Sequence, residues 1–321
     1  MDPIKKILAI IDPTTGPQPC VQKAARLALA TGAQLELFIC DFASDLRASR
    51  FAVEQVYEVA LAQRRAQLEA QLEALAEPLR KQGVRVATGV AFEETLHFGI
   101  LDKVLTSAPD VVFKDTHYHG PIRRALFTNT DWHLIRECPA PLLLTKPAVW
   151  RSLVKLSAAV DPGHIDDKPA TLDRELLACT EYLGSCLHGD VSAVHVFDPL
   201  PVLANMAPIG VATGAASYAD GELLRTLREQ HEADFKAVLA EYPAFSGHAD
   251  LLDGPPTTVL PDYVYEKEID VVVMGAVARR ALQRLLVGST AERLLDRLPC
   301  DILVLKPSRL RKEMEAVRSA A

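Results

Sequence analysis

An internal repeat constrains the fold of this chain more than any other feature. Residues 110–147 align with residues 270–307 without a gap, and the start of the chain, IKKILAIIDP at 4–13, recurs as LVKLSAAVDP at 153–162. A repeat period close to half of the chain is too long for a solenoid. The repeat therefore indicates two copies of one domain.

Length and charge agree with this interpretation and narrow the class of protein. A chain of 321 residues suits two domains of ordinary size, each able to bury its own core. We predict a first domain over residues 1–150 and a second domain over residues 151–321. The net charge of −7 argues against nucleic acid as a main partner, because binding to a phosphate backbone requires a basic face.

Apolar runs and cysteine usage indicate the cellular compartment in which the protein works. No apolar run approaches the roughly 20 residues of a membrane span, and the short apolar stretch near the N-terminus runs into Asp12 before it could form a signal-peptide core. The six cysteines are scattered without a CxxC pair, which is typical of free thiols in a reducing compartment. We expect a cytoplasmic protein with no membrane span.

Each half alternates short apolar strands with amphipathic helices, which predicts an α/β fold with a doubly wound parallel sheet. The expected strands of the first half are 4–11, 35–40, 84–90, 111–113 and 142–145, with helices at 21–31, 53–81 and 93–107. Those of the second half are 153–160, 191–197, 248–252, 270–274 and 302–305, with helices at 168–187, 220–241 and 257–267. The helix at 53–81 is long enough that it either breaks or overhangs its domain.

The clearest chemical signal follows the strand that ends at Gly275. A loop carrying Arg279, Arg280 and Arg284 leads to Gly288-Ser289-Thr290 and then to a helix. Glycines let a backbone approach phosphate oxygens, and N–H groups at a helix N-terminus attract anions. The alternative is that Gly275 only ends a strand, Ser289 caps a helix and the arginines are solvated. The chain has no P-loop motif, which makes a motor-type or kinase-like ATPase an unfavourable interpretation.

With both copies in view, the chain resembles the universal stress protein family, in its tandem two-domain form. The family's nucleotide signature, G-x2-G-x9-G-[S/T], is matched by Gly275 and by Gly288-Ser289, whereas Ala278 replaces the second glycine. The family's acidic residue at the end of the first strand, which faces the nucleotide, corresponds to Asp161. The resemblance implies ATP or a related adenine nucleotide in the second domain. The binding residues would be Asp161, Met274, Gly275, Ala278, Arg279, Gly288, Ser289 and Thr290.

The resemblance also implies the architecture. It predicts two five-stranded doubly wound parallel-sheet domains in tandem, each with the strand order 3-2-1-4-5. The family commonly dimerises along its last strand. Leu142–Thr145 and Ile302–Leu305 could therefore pair within one chain as an intramolecular pseudo-dimer, and a homodimer is left open.

The first half departs from the signature at every glycine. Its corresponding positions hold Asp12, Asp115, Tyr118 and Thr128-Asn129. Asp115 would place a carboxylate where a phosphate should lie, and Thr128 would add a Cβ where the backbone must approach. We predict that this half does not bind ATP in the family manner.

Two further features leave alternatives open. The apolar, Gly- and Pro-containing connection at 199–219 is either a loop packed on the neighbouring half or a binding loop for an apolar small molecule or a protein partner. His117 and His119, in the same half as His97 and His133, are either metal ligands or part of a polar loop.

The leading hypothesis is a stress-response protein that binds an adenine nucleotide and acts by association. No nucleophile–base signature such as GxSxG is present, so turnover, as in a slow ATPase, is the less favoured alternative. A nucleotide-free protein that binds its partner through 199–219 is the other alternative.

Overall fold

The computed structural model describes residues 2–16, 18–42, 54–119, 124–126, 128–162, 171–200, 219–276 and 294–308. The chain divides into two compact units. The first unit comprises residues 2–150 together with the chain from Leu303 onward, and the second comprises Arg151–Ile302.

The first unit is a parallel sheet with helices between its strands. Its elements are β1 (Lys6–Ile10), α1 (Pro19–Thr31), β2 (Gln34–Asp41), α2 (Glu54–Lys81), β3 (Arg85–Phe92), α3 (Leu96–Ser107), β4 (Val111–Asp115), β5 (His117–His119), β6 (Arg124–Leu126), α4 (Asn129–Glu137) and β7 (Leu142–Thr145). The sheet order is β3-β2-β1-β4-β7, and the neighbouring strands run parallel. This is the predicted 3-2-1-4-5 order.

The second unit repeats the plan. Its elements are β8 (Lys155–Ala159), α5 (Leu172–Leu187), β9 (Asp190–Phe197), α6 (Ala219–Leu239), a 3-10 turn (Pro243–Phe245), β10 (Ala249–Asp253), α7 (Pro256–Lys267), β11 (Val271–Gly275) and β12 (Asp301–Leu305). The strand order is β10-β9-β8-β11-β12, again 3-2-1-4-5. The α/β fold with doubly wound sheets is therefore confirmed.

Most of the final strand, β12, lies in the first unit. From Leu303 onward it belongs to the first unit, where it lies next to β7. The pairing of the two final strands that the sequence predicts is present there. All four residues of β7 and all five residues of β12 are buried, as expected for strands covered on both faces of a parallel sheet.

The aspartates that open the two aligned segments, Asp110 and Asp270, make similar hydrogen bonds in the two units. In the first unit, Asp110 Oδ2 accepts hydrogen bonds from the backbone N–H groups of Lys5 and Lys6, at 2.7 and 2.8 Å. In the second unit, Asp270 Oδ2 accepts from the backbone N–H of Lys155 at 2.9 Å. Each aspartate thus accepts from backbone N–H groups at the entry to the first strand of its unit.

Two expectations from the sequence are corrected. Helix α2 is unbroken from Glu54 to Lys81, although Pro78 lies inside it, so the alternative of a broken helix is wrong. The segment after β4, expected to be a loop, contains a short antiparallel pair in which His117 lies opposite Leu126 and His119 opposite Arg124. Strands of three residues are too short to show an alternating pattern, and the sequence therefore did not reveal them.

Candidate functional site

The candidate site of the second unit lies at the carboxyl ends of β8 and β11. The two strands pair in parallel, with Ala159 opposite Met274, so that Asp161 and Gly275 both follow at the same edge of the sheet. From β8 the chain continues through α5 to β9 on one side, whereas β11 lies on the other side. Strand order reverses between β8 and β11, and doubly wound sheets bind ligands in the crevice at this switch point.

Asp161 is held by its backbone and presents its carboxylate. Its N–H donates to Asp173 Oδ1, in the first turn of α5, at 3.1 Å. Its side chain is 47% exposed, and Oδ1 lies 3.9 Å from the Nδ1 atom of the buried His195. The carboxylate is therefore accessible at the switch point, and its role in binding a ligand stays a prediction.

Gly275 has a packing role that sequence reasoning did not include. A Cβ at this position would lie 2.6 Å from Cδ2 and 3.2 Å from Cγ of Leu172. Leu172 begins helix α5 and is buried, so a larger residue at 275 would displace that helix start. The glycine lets the end of β11 approach α5 closely, and both Met274 and Gly275 are partly exposed at the crevice.

The rest of the predicted nucleotide loop lies outside the part of the chain that the structure describes. This applies to Ala278, Arg279, Gly288, Ser289 and Thr290, and to residues 201–218 of the long connection. Their roles stay predictions.

The buried His195, close to Asp161, contacts a second histidine, His231. Sequence reasoning did not identify this pair. His195 Nδ1 is 3.1 Å from the carbonyl oxygen of Val160, and His195 Nε2 is 2.8 Å from His231 Nδ1. Because a carbonyl only accepts, a neutral His195 donates from Nδ1 and accepts at Nε2. The only signal in the sequence is a histidine within the apolar strand β9.

In the first unit, the position equivalent to Gly275 serves a different purpose. Asp115 ends β4, and its Oδ1 accepts from the backbone N–H of Cys20 at 2.9 Å and from Thr145 Oγ1. Cys20 lies in the first turn of α1, whose own N-cap residue, Gln18, makes no side-chain cap. Asp115 therefore caps α1 from a neighbouring strand. Burial raises the pKa of its carboxyl group, although the hydrogen bonds oppose this shift.

A second carboxylate occupies the N-terminus of α4, which corresponds to the helix start predicted to hold phosphate in the second half. Thr128 and Asp131 form a capping box: Asp131 Oδ2 accepts from the backbone N–H of Thr128 at 2.7 Å, and the Asp131 N–H donates to Thr128 Oγ1 at 3.2 Å. Asp131 is fully buried, and its Oδ1 lies 2.6 Å from Lys114 Nζ. The chain supplies both the anion and its counter-ion.

Asp12 also accepts hydrogen bonds from its own chain. Asp12 matches Asp161, but Asp12 Oδ1 accepts from both the backbone N–H and the hydroxyl of Thr14, at 2.8 and 2.6 Å. Three carboxylates of the first unit therefore bind the chain itself: Asp12 and Asp115 at the positions of Asp161 and Gly275, and Asp131 near the helix start that corresponds to Gly288–Thr290. Sequence reasoning identified Asp12 and Asp115 but missed Asp131 and Lys114, which the T-x-x-D pattern at 128–131 could have indicated.

The cysteines show no sign of a nucleophilic role. All six are free, and five of them are buried. Burial raises the pKa of Cys20 well above its usual value, helped by the adjacent Asp115, and burial raises the pKa of Cys40 to about 12. Both remain protonated thiols at neutral pH and are poor nucleophiles.

The predicted metal ligands His117 and His119 are placed only by their backbone, in strand β5. Their side chains lie outside the description, so this prediction is not tested.

Comparison with known proteins gives one consistent result. The family described as Universal stress protein family matches residues 3–146 and 179–306. The chain is 27% identical over 315 residues to Universal stress protein E of Escherichia coli, which covers 97% of this chain and 96% of that protein. It is 24% identical over 314 residues to the Universal stress protein E homolog of Haemophilus influenzae, covering 95% and 98%.

Solved structures agree with the sequence comparison. A putative universal stress protein of Pseudomonas aeruginosa superposes with a TM-score of 0.74 at 25% identity over 98% of each chain. A universal stress protein of Archaeoglobus fulgidus superposes with a TM-score of 0.64 at 13% identity, over 94% of this chain and 98% of that one, and shows the fold alone. Among the helices that the structure describes, none is long and apolar enough to cross a membrane.

Proposed function

Because this chain belongs to the universal stress protein family, we propose that it binds ATP or a related adenine nucleotide in its second half. It acts in a cytoplasmic stress response by associating with other molecules rather than by turnover. The phosphates lie over Gly275, Arg279 and Gly288–Thr290, with Ala278 in the same loop. Asp161 and Met274 face the nucleoside.

The observation that carries this proposal is the position of Asp161 and Gly275. They follow neighbouring parallel strands where strand order reverses, and the Asp161 carboxylate is half exposed there. A carboxylate at this crevice can accept hydrogen bonds from the hydroxyl or amino groups of a nucleoside, as acidic residues do in other doubly wound nucleotide-binding sheets.

The contrast with the first unit supports a stoichiometry of one nucleotide per chain. There, the N-terminus of α1 is capped by Asp115 and that of α4 by Asp131. A phosphate entering this site would have to displace a carboxylate that already satisfies the backbone donors, and it would meet that carboxylate's negative charge.

Calorimetric titration of the full chain with ATP tests the proposal, using Asp161→Ala and its counterpart Asp12→Ala as a matched pair. A hydrogen bond to a charged group contributes about 1.5–3 kcal/mol, so Asp161→Ala should weaken ATP binding about 10-fold or more. Asp12→Ala should leave affinity unchanged. Two sites per chain, or equal losses in both variants, would contradict the proposal.

A further inference from the structure

Three side chains of the first unit form a cluster that the proposed function does not use. His97, in the first turn of α3, meets His133 and Glu137, which are one turn apart on α4. One ligand atom from each, two imidazole nitrogens and a carboxylate oxygen, lie within 4.8 Å of one another. We propose that His97, His133 and Glu137 bind a divalent transition-metal ion of the Zn²⁺ class.

The imidazole rings of the two histidines lie directly against each other. The rings of His97 and His133 stack with their centroids 3.7 Å apart and their planes 3° from parallel. The stack therefore places a ring nitrogen of each histidine within 4.8 Å of a Glu137 carboxylate oxygen. Neutral imidazole is the form that binds transition metals.

Glu137 gives the cluster its oxygen and orients one of its rings. Glu137 Oε1 lies 2.8 Å from His133 Nδ1, at the i,i+4 spacing that places both side chains on one face of a helix. An ion bound at His133 Nδ1 takes the place of the proton in this contact, so that the ring nitrogen and the Glu137 oxygen both become ligands. A carboxylate beside a histidine is a recurrent arrangement at metal sites, where it can bind the ion or fix the ring.

The ion requires only a local adjustment. Ligand atoms around a tetrahedral Zn²⁺ at about 2.0–2.1 Å lie about 3.3 Å apart, so the cluster must contract by about 1–1.5 Å, and one stacked ring must rotate until both lone pairs converge. His97 is only 8% exposed and has little room to move. The side chains of His133 and Glu137 are 29% and 36% exposed, which gives them room to turn and gives an ion a path from solvent.

The donor set selects the kind of ion. Two nitrogens and one oxygen suit Zn²⁺, Co²⁺, Ni²⁺ and Cu²⁺, whereas Mg²⁺ and Ca²⁺ prefer oxygen ligands alone. Three protein ligands leave the fourth tetrahedral position for a water molecule. The cluster lies on helices of the first unit, whereas the proposed nucleotide site lies in the second unit, and the metal proposal does not depend on the nucleotide.

Cobalt titration of the chelator-treated full chain tests the proposal. Tetrahedral Co²⁺ absorbs strongly in the visible region, and Zn²⁺ should then displace it at one ion per chain. His133→Ala and Glu137→Gln should weaken Zn²⁺ binding by at least the roughly 10- to 100-fold that the loss of an outer-shell partner causes. The matched control is His248→Ala, which removes an exposed histidine of the second unit and should change nothing.

Thermal unfolding separates loss of the site from loss of the fold. In chelator, both ligand variants should melt close to the parent protein, and Zn²⁺ should raise the midpoint of the parent but not that of the variants. The proposal is overturned if the parent shows no saturable Zn²⁺ binding. It is also overturned if binding survives in His133→Ala but disappears in a His117→Ala/His119→Ala double variant.

Discussion

At the scale of single residues, one position carries opposite requirements in the two halves. Gly275 must lack a side chain because Leu172 lies against it, whereas its counterpart Asp115 needs a side-chain oxygen that accepts from Cys20 and Thr145. The residue at the end of the fourth strand of each unit thus has a different role: Gly275 allows close packing beside the crevice of the second unit, and Asp115 caps a helix in the first.

Replacing Asp115 should separate its capping role from its charge. Asp115→Ala leaves the Cys20 N–H without its acceptor and should cost about 0.5–2 kcal/mol. Asp115→Asn retains an acceptor and removes a buried charge, so at neutral pH it should be as stable as the parent or more so. Urea unfolding at pH 7 measures both, and equal losses in the two variants would contradict the capping role.

Comparing the parent protein with Asp115→Asn also gives a prediction for how stability depends on pH. Burial raises the pKa of folded Asp115 above its unfolded value, so its contribution to stability is fully present below the unfolded pKa and is lost as pH rises through the folded pKa. The stability of the parent relative to Asp115→Asn should therefore fall as pH is raised from about 4 towards neutrality. Urea titrations at several pH values measure this difference, and an opposite slope would contradict it.

Ala278, which replaces the second glycine of the family signature, is expected to weaken binding of the proposed nucleotide. If the second glycine of the family signature requires a positive φ, alanine costs about 1–2 kcal/mol there. Ala278→Gly should then tighten ATP binding roughly 5- to 30-fold, and Gly288→Val should abolish it by blocking the phosphate. Calorimetry on the three proteins measures this. If even Ala278→Gly binds no ATP, the nucleotide-free alternative with the 199–219 connection becomes the better hypothesis.

At the scale of elements, the start of α4 is stabilised by a buried ion pair. Lys114 on β4 and Asp131 in the first turn of α4 are both buried, with Nζ and Oδ1 2.6 Å apart. The same carboxylate completes the capping box with Thr128. One side chain therefore anchors the helix to the sheet and accepts from the backbone N–H of its N-cap residue, Thr128.

Removing Asp131 should be costly because it leaves Lys114 buried without its carboxylate. Asp131→Ala should lower the free energy of unfolding by about 3–5 kcal/mol. The double variant Lys114→Met/Asp131→Ala should recover part of this loss, since the buried charge is gone. Chemical denaturation of the four proteins of this cycle measures the coupling, and additive losses would contradict it. Glu77→Ala, which breaks the exposed pair with Lys81, is the control and should have little effect.

At the scale of the whole molecule, the first unit is incomplete without the end of the chain. The segment from Leu303 onward belongs to it, β12 lies beside β7, and the buried Lys306 donates from Nζ to the carbonyl oxygen of Cys138 at 2.7 Å. Residues distant in sequence therefore complete one sheet and satisfy the carbonyl at the end of α4.

Residues 1–150 expressed alone should be less stable than the full chain and prone to associate. Truncation exposes the edge of β7, whose residues Leu142, Leu143 and Leu144 are buried in the full chain, and an apolar edge strand promotes pairing with other chains. Thermal unfolding and light scattering measure both effects. A soluble monomer as heat-stable as the full chain would show that the unit does not need β12.

The sequence by itself determined the repeat, the alternation of strands and helices and the strand order implied by family resemblance, because these depend on local periodicity and on motifs of contiguous residues. It also placed Gly275 at the end of a strand and Asp161 just after one. Only the tertiary structure decided that Asp115 caps a helix that begins nearly a hundred residues earlier, that Lys114 neutralises Asp131 and that His97 stacks on His133. Such contacts join residues from different elements, and their energies depend on burial and distance, which no local pattern encodes.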